Sequence, residues 1–222
     1  EAEKIYEKAI TLDFENQDAI AGLKCSKFWI ERSKQLSAID SDDFTKSEYL
    51  YNEWRNFSEF IKRLKTPFRE GVSVIKQWVF QTALTGYLNA SSSIGSNDEE
   101  LLLRIGKCYK GMGDYDKALE YLERTLTIVD WYPEANYHIG LIYERKGLKE
   151  KALEFYIKEV NNVAASAKTW QRLFMLKKEL AKESEFPPSK NRFSTITITS
   201  ILIPGLLVAT IGVLFLKKLF AG

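Results

Sequence analysis

A self-similarity at an offset of 34 residues constrains this chain more than any other feature. Laying residues 105–120 on 139–154 makes eight of 16 positions identical: Ile105/Ile139, Gly106/Gly140, Tyr109/Tyr143, Gly113/Gly147, Lys117/Lys151, Ala118/Ala152, Leu119/Leu153 and Glu120/Glu154. Unrelated sequence gives roughly one such match. A unit of this size cannot bury an apolar face alone, so neighbouring units must stack to make a shared core.

The residue types say what each unit is. Gly106 and Gly140 suit a crossing where a Cβ would hold two helices apart. Tyr109 and Tyr143 fill the space between the two helices of a pair. Gly113 and Gly147 stand where the first helix ends in a left-handed turn. Ala118 and Ala152 allow close approach early in the second helix, and Leu119, Leu122, Leu153 and Tyr156 continue its apolar stripe. In period and residue types the pattern resembles the tetratricopeptide (TPR) helix-turn-helix repeat. That resemblance implies an all-α, TPR-like α-solenoid of antiparallel helix pairs. It is strong over two repeats, within 97–166. Thr125 and Glu159 depart from it by standing where a small residue is usual, and Pro133 is displaced by a few positions.

Weaker similarity extends both ways. Residues 1–42 read as degenerate TPR-like helices: Ala2, Tyr6, Ala9 and Phe14 match a second helix and its exit, and Ile20 and Leu23 the next first helix, with Lys24 replacing the small residue. The chain opens inside a helical pattern, so the natural protein is expected to begin earlier. Residues 167–184, with Trp170 and Leu173 in register, read as a capping helix. The stretch 43–90 does not follow the repeat. Apolar residues at spacings of three and four predict helices over 44–65 and 68–89, broken at Thr66-Pro67, hence an aberrant helical hairpin. Ser91 to Asn97 reads as a loop, with Asn97 or Asp98 capping the next helix.

Beyond a stiff linker over 185–193, containing Pro187 and Pro188, the sequence changes character. No charged residue occurs in the 24 positions from Phe193 to Leu216. As a helix these reach roughly 36 Å, more than the ~30 Å hydrocarbon core of a bilayer. Residues 194–216 are therefore expected to be one C-terminal transmembrane helix, closed by Lys217 and Lys218 in a short tail, 217–222. Gly205, Ala209 and Gly212 place three small residues on one face, where a partner span or a second copy can approach. Lys182, Lys190 and Arg192 against Lys217 and Lys218 is a count of three against two. It leans towards a cytoplasm-facing repeat domain and leaves the periplasmic or lumenal side open.

Chemistry is hard to find. Net charge is +2, from 32 basic and 30 acidic residues, which gives no field for nucleic acid. Cys25 and Cys108 make no disulfide framework and read as small buried hydrophobes. With His138 as the single histidine, neither a His-based metal cluster nor a conventional Ser-His-Asp triad can be assembled. No phosphate loop or dinucleotide fingerprint is present. The expectation is a non-enzyme without cofactor or metal.

What remains is recognition. In TPR arrays the concave face is built from first-helix side chains pointing away from the second helix. By register the resemblance assigns Leu103, Lys107 and Lys110; then Tyr137, Leu141, Glu144 and Arg145; then Lys168, Gln171, Met175 and Lys178. Basic, aromatic and apolar groups together suit a peptide of acidic character. The family's carboxylate clamp is not matched, since Leu103 stands where one clamp lysine belongs. The function expected is a membrane-anchored scaffold or adaptor that organises a protein assembly, such as a large envelope complex. The rival is an accessory ligand-binding protein of a membrane transporter, which requires a deep apolar pocket lined by Trp54, Trp78 or Trp131.

Overall fold

The computed structural model describes residues 1–64, 68–161 and 167–185, and among these every regular element is an α-helix. Two helices open the chain, α1 (Ala2–Leu12) and α2 (Gln17–Ala38). The hairpin α3 (Asp43–Ile61) and α4 (Arg69–Ile94) comes next. The repeats supply two pairs, α5 (Glu99–Met112) with α6 (Tyr115–Ile128) and α7 (Pro133–Arg145) with α8 (Lys149–Val160). The last described helix is α9 (Ala167–Glu185). From α1 to α8 each helix packs on its neighbour in sequence, as a solenoid requires.

The helix ends obey local chemistry. Asp98 caps α5 by accepting from the Leu101 amide at 2.8 Å, and Asp114 caps α6 by accepting from Lys117 at 3.2 Å. Gly113 ends α5 at φ 90°, and Asp114 N–H reaches back to Tyr109 C=O at 3.0 Å. Gly147 does the same after α7 at φ 75°, with Leu148 N–H on Tyr143 C=O at 2.9 Å. Both close the Schellman pattern that glycine makes easy.

Packing repeats with the same offset as the sequence. Tyr109 stacks on Tyr121 at 5.5 Å, and 34 residues on Tyr143 stacks on Phe155 at 5.6 Å. Lys117 and Lys151 lie over those tyrosines at 5.3 and 5.5 Å. A Cβ on Gly106 would lie 2.8 Å from Leu122 Cγ, and one on Gly140 would lie 2.5 Å from Tyr156 Cε1. Leu122 and Tyr156 are fully buried, so neither can yield cheaply. Gly140→Val is therefore expected to lose about 2 kcal/mol despite better helix propensity. Urea unfolding measures this, and a loss under about 0.5 kcal/mol would show that α7 and α8 separate without strain.

The hairpin packs differently. Phe57 on α3 is fully buried among Phe28 and Trp29 of α2 and Trp54 and Phe60 of its own helix, at ring distances of 5.1 to 6.1 Å within the group. Trp78 and Phe80 of α4 close this cluster. Its helices end elsewhere than the sequence pattern predicts: α3 stops at Ile61, and α4 continues to Ile94 through the serines expected to form a loop. Ser91, Ser92 and Ser93 turn their hydroxyls back onto Leu88, Asn89 and Ala90 C=O at 2.6 to 3.0 Å, satisfying themselves inside the helix. Gly95, at φ 112°, is the stop.

Among the described residues no helix is long and apolar enough to cross a membrane. The expected span 194–216 with Gly205, Ala209 and Gly212, residues 186–193 of the linker and the tail 217–222 lie outside the described residues.

Candidate functional site

The groove assigned by register runs over α5, α7 and α9, and the structure divides its residues. Leu103 is not on a surface: it is 0% exposed, in a core with Ala118, Leu122, Ala135, Ile139 and Ile142. The register points the side chain away from α6, but α7 then covers it. Lys107 is also enclosed, at 5% exposure, with its ammonium 2.6 Å from Glu134 Oε1 and 4.5 Å from the Tyr51 ring centre. Leu141 is half-buried against the core formed by Ala152, Tyr156, Leu173 and Leu176. Arg145 and Lys178 are exposed.

Tyr137, Glu144, Lys168, Gln171 and Met175 come together. They line an open pocket of about 530 Å³ between α7, the start of α8 and α9. Three charged residues that register does not assign complete it: Lys149, Arg172 and Glu179. Arg172 grips Glu144 through Nη1 at 2.7 and 2.9 Å, and Tyr156 O–H donates to the same carboxylate at 2.8 Å. Lys149 pairs with Glu179 at 3.3 Å. Glu144 is thus a structural anion that ties α7 to α8 and α9, while Tyr137 and Met175 (52% exposed) offer the apolar surface. Arg172 lies one helical turn beyond Lys168, which is the only signal in the sequence that points to it.

A second constellation adjoins the pocket through Tyr137 and His138, whose rings lie 5.4 Å apart. Lys110 Nζ is 2.7 Å from His138 Nδ1, and His138 Nε2 is 3.5 Å from Glu134 Oε1. Burial first, and then the Lys110 ammonium, push His138 down to about 3, so the imidazole is neutral near pH 7. An ammonium only donates, so Nδ1 accepts from it and Nε2 carries the proton, aimed at Glu134. That N–H, together with the Lys107 ammonium, holds the Glu134 carboxyl well below the usual range. Burial, reinforced by Lys107, drives Lys110 down to about 7. Lys76, from α4, is lowered by burial and by Arg145. No repeat register leads to Lys76, because α4 lies outside the repeats.

The two thiols take no part. Burial pushes Cys25 up to about 11 and Cys108 up to about 12, so both stay protonated and pack as small hydrophobes. Of the tryptophans named for a ligand pocket, Trp54 packs in the core around Phe57, Trp78 closes the same cluster at 42% exposure, and Trp131 is 43% exposed.

Stacked antiparallel helix pairs with a side-chain-lined groove define a class of protein-binding helical-repeat scaffold. Family models described as tetratricopeptide repeat match residues 100–128 and 133–158, so the chain carries TPR repeats, which imply a protein–protein interaction scaffold. Among solved structures, the chain is similar to the Sgt2 TPR domain from Aspergillus fumigatus, with 18% identity, 69% of this chain and 92% of that one covered, and a TM-score of 0.47. It is also similar to MamA, with 20% identity, 81% and 89% covered, and a TM-score of 0.34. Comparison with curated proteins finds no match.

Proposed function

We propose that this chain is a non-enzymatic scaffold that takes a segment of a partner protein into the groove between α7 and α9, beside a membrane to which residues 194–216 hold it. The pocket of about 530 Å³ supports this reading most directly. It is open rather than enclosed, combines Tyr137 and Met175 with the basic side chains of Lys149 and Lys168, and its charged floor is already satisfied internally. Such a surface fits a peptide that adds its own side chains more readily than a small molecule that must be engulfed.

The test uses the full chain cross-linked in its native membrane. Replacing Tyr137 by Ala and Met175 by Glu together is expected to cut recovery of the cross-linked partner at least roughly fivefold, with helix content by circular dichroism unchanged. Undiminished recovery would remove the groove from the reading. The anchor is tested apart from this by alkaline carbonate: the chain should stay in the membrane pellet, and its release would eliminate the span.

A further inference from the structure

Helix α9 buries one stripe and leaves a second apolar stripe uncovered. Thr169, Leu173 and Leu176 are buried, the two leucines in a core with Ala152 and Tyr156 of α8. On one flank of that stripe Lys168, Gln171, Arg172, Met175 and Glu179 line the open pocket. On the other flank stand Trp170, Phe174, Lys177 and Lys178, at the i, i+4, i+7 and i+8 spacing that shares one helix face. All four are exposed, and Trp170 and Phe174 each show 48% of their surface. Single exposed apolar residues are ordinary, whereas two large rings one turn apart make a patch. Among the described side chains this face carries no carboxylate. Glu179 lies on the pocket flank and pairs with Lys149 at 3.3 Å.

We propose that the face of α9 formed by Trp170, Phe174, Lys177 and Lys178 lies against the headgroup layer of a membrane that contains anionic lipid. This rests on the anchor reading above and names the surface by which the repeats meet the bilayer. The chemistry of the four side chains selects lipid. Aromatic rings settle at headgroup level, with their apolar body buried and any polar edge wet. Lysine stems lie along apolar surface while their ammonium groups reach phosphate, and each lysine near an anionic surface favours contact about fivefold. A second copy seated on the same face about a twofold axis would instead set lysines against lysines. Chain length points the same way. Helix α9 ends at Glu185, and eight residues, 186–193, precede the proposed anchor. Fully extended, that connection reaches no more than roughly 30 Å. Lipid contact is then an intramolecular step, which a patch of four side chains can win without a large interface. The pocket of about 530 Å³ is lined from the other flank of α9, so this contact leaves it open to a partner's segment.

The test puts the full 222-residue chain into vesicles of phosphatidylcholine with roughly one-third phosphatidylserine, the phosphatidylcholine brominated high in its acyl chains. The fluorescence of Trp170 is taken as the difference between the parent and Trp170→Phe. Bromination is expected to cut that signal at least roughly twofold. Replacing Lys177 and Lys178 together by Gln, at exposed positions that leave the core intact, should restore at least roughly half of the lost signal, and so should omitting phosphatidylserine. Quenching unchanged in both cases would overturn the anionic surface. A Trp170 signal untouched by bromine would overturn the lipid contact altogether, and aqueous iodide then identifies the true occupant. Quenching by iodide leaves the face free for a protein partner, whereas shielding that fades as the chain is diluted in the membrane assigns it to a second copy. Alkaline carbonate separates this from failure of the anchor. A chain that resists extraction while Trp170 ignores bromine has an anchor but no lipid-facing α9. A chain released by carbonate whose Trp170 is quenched at neutral pH has the face without the anchor.

Discussion

Phe57→Ala is expected to lower the stability of the α2–α4 region by about 4 kcal/mol, within the range that truncating buried phenylalanines produces. The ring has no exposed surface and is the hub of its cluster, with Phe28, Trp29, Trp54 and Phe60 at 5.2, 5.4, 5.7 and 6.1 Å. Large aromatic neighbours are poor at collapsing into the space left, because each is held by further rings: Phe28 by Phe60 at 5.1 Å and Trp54 by Phe80 at 5.5 Å. Most of the lost contact therefore remains lost as a cavity. The effect should also be local. The core around Phe57 reaches as far as Tyr109 and Tyr121, while Tyr143 and Phe155 stack in a different core, and units of a repeat array couple chiefly to their neighbours. Native-state hydrogen exchange is the discriminating measurement. Amides of α2 and α3 should lose protection to the full extent, while those of α7 and α8 lose less than about 1 kcal/mol. Equal loss throughout would mean a single cooperative unit, and a total loss below about 1.5 kcal/mol would mean that the cluster repacks.

Glu134→Ala is expected to cost about 2 kcal/mol, although Glu134 itself is 46% exposed in its side chain. The loss comes from its partner. Lys107 is 5% exposed, and without Glu134 its ammonium keeps the Tyr51 ring at 4.5 Å but loses its carboxylate. Breaking a buried pair from one side typically costs ~3–5 kcal/mol, and the partial access of Glu134 to water reduces that here. The same change removes the acceptor towards which His138 N–H points. If an orphaned charge is the cause, adding Lys107→Met to Glu134→Ala should recover most of the loss, and Lys107→Met alone should be nearly neutral. Urea midpoints of the three variants close this cycle. A double variant no better than Glu134→Ala would locate the cost in helix α7 itself, where Glu134 occupies the first turn.

How much of this was legible before the structure differs between elements. The pairs α5/α6 and α7/α8 were read from the identities at an offset of 34 and the repeat they resemble, and Gly113, Gly147, Gly106 and Gly140 among them each answer a local steric demand. The groove was legible in direction but not in depth. Register places Leu103 and Lys107 on the far side of α5 from α6; it does not say what lies opposite. For Leu103 that is α7, and for Lys107 it is Glu134 and the Tyr51 ring from the non-repeating hairpin. Lys76 was missed because it belongs to α4, whose position the repeat does not dictate, whereas Arg172 lies on a helix that register did place and was passed over because it falls beside the positions the register picks out.

Periodicity and steric need act within some ten residues of each position. The helical pairs of the two repeats, their glycine turns and the uncharged run at 194–216 were therefore already written in the order of amino acids. Burial and charge state depend on groups far apart in the chain. Lys76, Lys110 and His138 interact only once three helices have packed, and that packing alone removes the water which would otherwise have left Lys110 an ordinary surface lysine.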